Sequence, residues 1–323
     1  VTSSRPTKGN AVIQIFILPW SNLMAETLFQ PAASQQIYKS FPSPQYYGFS
    51  IEEYFSSRFT YQSRQEWIAQ IENGNISVNG VTAQTGYILK EGDQIITHAG
   101  VRQEPPADRR LKVIYQDSHI RVFNKPAPIP VHPSGRYFQN SMTEILKQWY
   151  PEEIPRPVQR LDATTTGVIV FARTREAAGT LMNEFKSHRI KKEYLALVEG
   201  EPETEKFCID EPIGVLKGSH RGVGDQITNA KSAKTEVQWL ASNKGQSLLK
   251  VTPLSGRTNQ IRVHLSSCGL PIYNDLIYGK GTVGNYQYGL HAWSLEFQCF
   301  DRTMEFKVEP PAHFESLLKI AKI

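Results

Sequence analysis

The chain has 323 residues, 40% of them hydrophobic, with 36 Lys and Arg against 31 Asp and Glu. That length supports two ordinary domains or one large one, and a formal charge of +5 admits a polyanionic partner without specifying one. The three cysteines, Cys208, Cys268 and Cys299, are odd in number and far apart, which excludes a disulfide framework or a zinc site and points to a reducing cytoplasm; no apolar stretch is long enough to span a bilayer.

Residues 11–18, behind Arg5 and Lys8, look superficially like a secretory leader, but the run is short, broken by Gln14, and lacks a small-x-small cleavage site. The first residue is Val1, whereas Met24-Ala25-Glu26-Thr27 looks like a natural start, so residues 1–23 are expected to be an extension upstream of the initiator. Residues 24–47 carry Ser, Gln, Pro and aromatics without periodicity and are expected to be a loose lead-in. The expected organisation is therefore an extension over 1–47, a small domain over 48–100, a linker over 101–111 and a larger domain over 112–323.

From Ser50 the pattern sharpens. Ser50 with Glu53, and Ser63 with Glu66, have the spacing of capping boxes, each opening a short helix. Trp67, Ile68 and Ile71 share one face of the second helix, which Asn73-Gly74 terminates. Ile76-Ser77-Val78-Asn79-Gly80-Val81 predicts strand, Asn-Gly turn, strand, and residues 89–96 predict a further turn and strand. This order resembles the small RNA-binding domain first known from ribosomal protein S4. The resemblance implies that Arg58, Ser63, Arg64 and Lys90 face structured RNA, with Glu66 making this face less basic than in many such domains.

Pro105-Pro106 among charged residues marks the expected linker. Strands are predicted over 112–115 and 120–123, a helix over 141–149, and a buried strand over 168–172, where Val168-Ile169-Val170-Phe171-Ala172 is short, apolar and β-branched. A helix follows over 175–187, with Ala177, Ala178, Leu181, Met182 and Phe185 at helical intervals, and then strands over 194–198, 233–240, 247–252 and 304–308. Helices scattered among many strands without regular alternation predict an α+β fold with a mixed, largely antiparallel central sheet.

Four blocks carry candidate chemistry. The first, residues 124–133, places Lys125 and His132 in a Pro-rich loop after a strand. The second is Arg160-Leu161-Asp162 followed by Ala163-Thr164-Thr165-Thr166-Gly167, delivering a carboxylate to the mouth of the buried strand beside a cation. Such an aspartate is either a nucleophile or a turn cap paired with its arginine. The third is Lys191-Lys192-Glu193-Tyr194, where Lys186, His188, Arg189, Lys191 and Lys192 form the densest basic stretch, suited to phosphate or simply a solvated face. The fourth runs from Gly256-Arg257-Thr258-Asn259-Gln260-Ile261-Arg262 to Asp275; by spacing alone, Arg262 alternates with Gln260 and His264 and could be an exposed cross-strand residue.

Together, and in this order, the blocks resemble the RluA/RluD family of pseudouridine synthases over about residues 112–310, and an S4-like module is common ahead of that catalytic domain. The resemblance implies isomerisation of uridine in RNA without metal or organic cofactor; no membrane partner is expected, and a monomer is the expected state, although the sequence leaves oligomeric state open. It makes Asp162 the essential residue; addition to the uracil ring, attack on the anomeric carbon and assisted elimination are all compatible with a carboxylate there. It further implies that Tyr194 stacks on the target base and helps remove the carbon-5 proton, and that Arg262 pairs with Asp162 and favours its ionised form. Arg160 would enter the RNA stack, while Lys125, His132, Lys191, Lys192, Arg257, Asn259 and Gln260 would line the substrate path. Ribosomal RNA is the favoured partner, with transfer RNA as the alternative. Three positions depart from the family pattern: Gln159 stands where His is common, Thr165-Thr166-Gly167 replaces Thr-Ser-Gly, and Asn259 replaces a His. A noncatalytic RNA-binding or ribosome-assembly factor is the rival. A carboxylate hydrolase would need a second acid or metal ligands in these blocks.

Overall fold

Both expected capping boxes form. Ser50 N donates to Glu53 Oε2 at 2.9 Å and Ser63 N to Glu66 Oε2 at 2.6 Å, while each serine hydroxyl accepts the returning backbone N–H. The computed structural model describes residues 13–15, 28–187, 189–218 and 220–323; the expectation for residues 1–23 thus lies outside the described residues save for a short strand, Ile13–Ile15. Among the described residues no helix is long and apolar enough to cross a membrane.

Pro31–Glu104 forms one compact unit and the described residues outside it form the other. In the small unit the helices Ile51–Arg58 and Arg64–Glu72 meet through Phe55 stacked on Trp67, with ring centroids 4.5 Å apart, over a core of Ile51, Tyr54, Ile71 and Ile76. Asn79 and Gly80 both take positive φ, closing the predicted hairpin between Ile76–Val78 and Val81–Thr82. Two boundaries differ from expectation. The loose lead-in contains a strand, Ser34–Ser40, paired with Ile95–Arg102; its partner strand supplies the order that its polar sequence does not advertise. The linker is also shorter, because Ala107 is fully buried in the large unit and exchanges backbone hydrogen bonds with Phe29 at 2.9 and 3.0 Å.

The large unit is built on an eleven-stranded sheet. Its path runs Lys206–Ile209, Thr235–Asn243, Gln246–Pro253, Lys191–Glu199, Leu290–Cys299, Thr166–Ala172, Ile120–Lys125, Lys112–Gln116. Pairing along this path is antiparallel except where Thr166–Ala172 runs parallel to Leu290–Cys299. Leu290–Cys299 is the longest strand and is missing from the sequence prediction, since His291, Ser294, Glu296 and Gln298 dilute its apolar signal. A small three-stranded sheet, Ile213–Lys217, His220–Gly222 and Thr228–Lys231, is also unforeseen. Residues 260–267, read as compatible with alternation, form an α-helix, Gln260–Ser267, which puts Arg262 on a buried helical face instead of a strand. The predicted helices at Met142–Trp149 and Arg175–Lys186 are present.

Gly167 makes the parallel pairing possible. Its φ is +114°, and a Cβ there would lie 2.2 Å from the Ala292 carbonyl oxygen, so no larger residue fits between the two backbones. Gly167→Ala is expected to cost about 3 kcal/mol of stability and lower the melting temperature by on the order of 10 °C, checked by thermal denaturation.

Candidate active site

Asp162 sits on a tight turn, with Thr165 N donating to its carbonyl at 3.1 Å, just before the strand Thr166–Ala172. Beneath the turn lies Lys125, at 0% exposure, whose Nζ donates to the carbonyl oxygens of Pro126 (3.0 Å), Ala163 (3.2 Å) and Thr165 (2.7 Å). Burial pulls its ammonium down to about 7, against the opposing charges of Asp162 and Asp108. This corrects the expectation that Lys125 lines the substrate path: its donors are consumed by its neighbour Pro126 and by two carbonyls of the turn that follows Asp162, so it holds the turn. The far end of the turn is fixed by Thr166, whose Oγ1 lies 2.8 Å from His291 Nδ1. His291 Nε2 meets the Val308 carbonyl at 3.0 Å, which assigns the proton to Nε2 and makes Nδ1 the acceptor for Thr166; burial pulls this imidazole down to about 4 and keeps it neutral.

Arg262 projects from the first turn of its helix between two carboxylates. Its Nη1 donates to Asp162 Oδ2 at 2.8 Å, while Nε and Nη2 grip Asp275 Oδ2 and Oδ1 at 2.7 and 2.8 Å. Asp275 is fully buried and also accepts from Ile277 N, Tyr278 N and the Tyr288 hydroxyl. Burial alone would push the Asp275 carboxyl up; the Arg262 hydrogen bonds and charge, with the two backbone donors, overcome this and hold it below the usual carboxylate range. Burial likewise disfavours the Arg262 cation, and its hydrogen bonds to Asp275 outweigh that, so the guanidinium is locked in its charged form. Asp162 Oδ1 makes no hydrogen bond among the described residues, and the side chain is 39% exposed.

A cleft of about 390 Å³ opens over Asp162, lined by Arg160, Tyr194, Arg262, Lys192, Arg257, Asn259 and Gln260 among others. Tyr194 lies beside a bulge in Lys191–Glu199, and burial together with the Asp162 charge pushes its phenol well above the ordinary range, so it rests un-ionised. Arg160 is exposed at the rim. Asn259 adopts a left-handed conformation (φ 58°) immediately before the Arg262 helix and donates to the Tyr278 hydroxyl at 3.1 Å. Gln260 needs correction: at 4% exposure it accepts from Ser255 Oγ and Arg257 N and donates to Lys234 O and Thr235 Oγ1, which occupies its amide in bracing the cleft wall. Arg257 is tied to the Ser232 carbonyl at 2.9 Å. His132 is half-buried outside the cleft lining, and burial with the Arg160 charge holds its imidazole below the ordinary range. In the basic stretch Arg189 is bound to Glu184 and Lys191 lies 3.5 Å from Glu296, leaving Lys192 as the cation inside the cleft; His188 lies outside the described residues. Arg58, Arg64 and Lys90 are exposed on the small unit, with Arg64 3.7 Å from Glu52.

The family model described as RNA pseudouridylate synthase matches residues 119–267, which contain Asp162, Tyr194 and Arg262. The chain is 31% identical over 266 residues to "Ribosomal large subunit pseudouridine synthase D" of Nitrosomonas europaea, covering 77% of each protein. It belongs to the RNA pseudouridylate synthase family. It is also 35% identical over 251 residues to "tRNA pseudouridine(32) synthase, mitochondrial" of Saccharomyces cerevisiae, across 76% of this chain; the chain spans about half of that relative, 54% of its length. Among solved structures it resembles "Human RNA Pseudouridylate Synthase Domain Containing 1", with a TM-score of 0.55 and 26% identity, over 64% of this chain and 86% of that one.

Sequence reasoning quoted Asp275 without giving it a task, and overlooked Tyr288. The signal for Asp275 was available: an arginine withdrawn from water to face one carboxylate leaves donors that need another. Breaking a buried ion pair from one side costs about 3 kcal/mol or more, so Asp275→Asn is expected to lose roughly that stability in urea denaturation and to release Arg262 from its alignment. Because the folded-state pKa of Asp275 is depressed, its contribution is present above the unfolded carboxylate range near pH 4 and is lost as pH falls below it. The stability gap between wild type and Asp275→Asn is therefore expected to hold from neutral pH down to about 4 and to close below.

Proposed function

We propose that this chain isomerises uridine to pseudouridine within RNA, with Asp162 as the reacting residue. The observation that carries the proposal is the asymmetry of its carboxylate at the cleft: Oδ2 is tied to Arg262, itself fixed by Asp275, while Oδ1 has no partner among the described residues. Net isomerisation breaks the bond from N1 of uracil to C1′ of ribose, forms one from C5 to C1′, and moves the C5 hydrogen to N1. A carboxylate serves either by attacking or by stabilising the electron-poor centre created when the glycosidic bond breaks, and both need an ionised oxygen aimed at the nucleotide.

Tyr194 at rest supports stacking under the base; as a neutral phenol it accepts the C5 proton only after losing its own. The target must leave its helix stack to enter the cleft, a cost of a few kcal/mol that loops and weakly paired uridines reduce. The order of elements in Pro31–Glu104, similar to the S4 module, supports a role for Arg58, Arg64 and Lys90 in docking structured RNA, and with it a ribosomal target; the name of the yeast relative supports a transfer RNA instead. Mapping pseudouridine across cellular RNA with and without the gene decides between these targets.

Asp162→Asn is expected to abolish pseudouridine formation, read by tritium release from C5-labelled RNA, while RNA affinity stays within a few-fold. Wild-type turnover by this variant would remove Asp162 from the reaction, whereas absence of turnover by the wild-type protein itself would favour a noncatalytic RNA-binding role. Arg64→Glu is expected to weaken RNA binding and flatten its dependence on salt, with the chemical rate at saturating RNA unchanged; an unaltered salt slope would remove the small unit from phosphate contact.

A further inference from the structure

A second cavity, of about 300 Å³, adjoins the cleft and shares Phe185, Lys192 and Pro253 with it. Half of its lining is apolar, Phe185, Ile190, Pro253 and Leu254, with the aromatic ring where the helix Arg175–Lys186 ends; the other half is Thr252 and three cations. Two of its three cations are already matched: Arg189 Nη2 lies 2.5 Å from Glu184 and Lys191 Nζ 3.5 Å from Glu296. Lys192 is not. Among the described residues it has no carboxylate within ion-pair distance, its only hydrogen bond is to the Ser255 carbonyl at 3.3 Å, and it stands in the wall between the two cavities. Burial holds this ammonium below the ordinary lysine range, a cost that an anion placed beside it removes.

A half-buried, uncompensated cation between two neighbouring hollows has the chemistry of a backbone phosphate site with a nucleotide on each side. Resting on the reading of the first cleft as the seat of the target uridine, we propose that the second cavity receives the nucleobase adjoining that uridine and that Lys192 binds the phosphate joining the two. The walls offer stacking and apolar contact from Phe185, Ile190, Pro253 and Leu254, and their polar side chains are Thr252 and the three cations, two of them already paired.

The test is binding of fluorescein-labelled oligo(U) followed by anisotropy, in a background of Asp162→Asn so that no turnover intervenes. Leu254 is 41% exposed, so Leu254→Trp fills the cavity from its rim without disturbing the core; it is expected to weaken oligo(U) binding about tenfold, the scale of one lost stacking contact, and Phe185→Ala, from the opposite wall, to do the same. An oligomer with alternating abasic positions is expected to bind about tenfold more weakly to the Asp162→Asn protein and to lose nothing further when Leu254→Trp is added, since the two changes remove one contact. Lys192→Gln is expected to reduce the slope of log affinity against log salt by about 0.7, one phosphate on a single strand. Equal losses from Leu254→Trp on intact and abasic oligomers, or an unchanged slope for Lys192→Gln, would overturn the assignment. Because binding is read whether or not uridines react, failure of the wild-type protein to form pseudouridine would strike the catalytic reading alone.

Discussion

One guanidinium between two carboxylates organises this molecule's chemistry. Arg262 meets buried Asp275 through two hydrogen bonds and exposed Asp162 through one, and the inequality matters. The bidentate pair, withdrawn from water and supported by Tyr288 and two backbone donors, fixes where the guanidinium points. The single bond to Asp162 then fixes one carboxylate oxygen and leaves the other available. Had the arginine faced Asp162 alone, both oxygens would compete for its fork and neither would be reliably presented to a ligand.

The same logic extends beneath the turn that carries Asp162. Lys125, withdrawn from the surface, collects three carbonyl oxygens, and His291 receives the Thr166 hydroxyl at the turn's far end. A loop carrying a reactive group is normally among the softer parts of a protein. Here the carbonyls of Ala163 and Thr165 are answered by a buried ammonium, so the position of Asp162 is set by groups outside the cleft lining.

Much of this was legible from the chain. Capping boxes at Ser50 and Ser63, the β-branched run after Gly167 and the periodic helix at 175–186 are local signals, and local hydrogen-bonding rules suffice for them. Asp162, Tyr194 and Arg262, named by resemblance, do line one cleft. What could not be read depends on contacts distant in sequence. Ser34–Ser40 is a strand because Ile95–Arg102 lies beside it, and Leu290–Cys299 carries polar residues that its central place in the sheet accommodates. Lys125 and Gln260 were placed on the substrate path by resemblance, because they stand in the blocks that carry the chemistry; only their buried acceptors and donors reveal bracing roles. Asp275 stayed unassigned because its partner is thirteen positions away across a helix and a loop.

The contact of Gly167 with Ala292 has a mechanical meaning. The strand that follows Asp162 and the strand that bears Tyr194 flank the same central strand, Leu290–Cys299, so the span between carboxylate and ring is set by the ladder spacing of a sheet. Such a frame resists both widening and squeezing. Whatever distortion accompanies the capture of a nucleotide must then be borne by the polymer that carries it, and a stiff transcript segment would be refused for its rigidity before any of its letters were inspected.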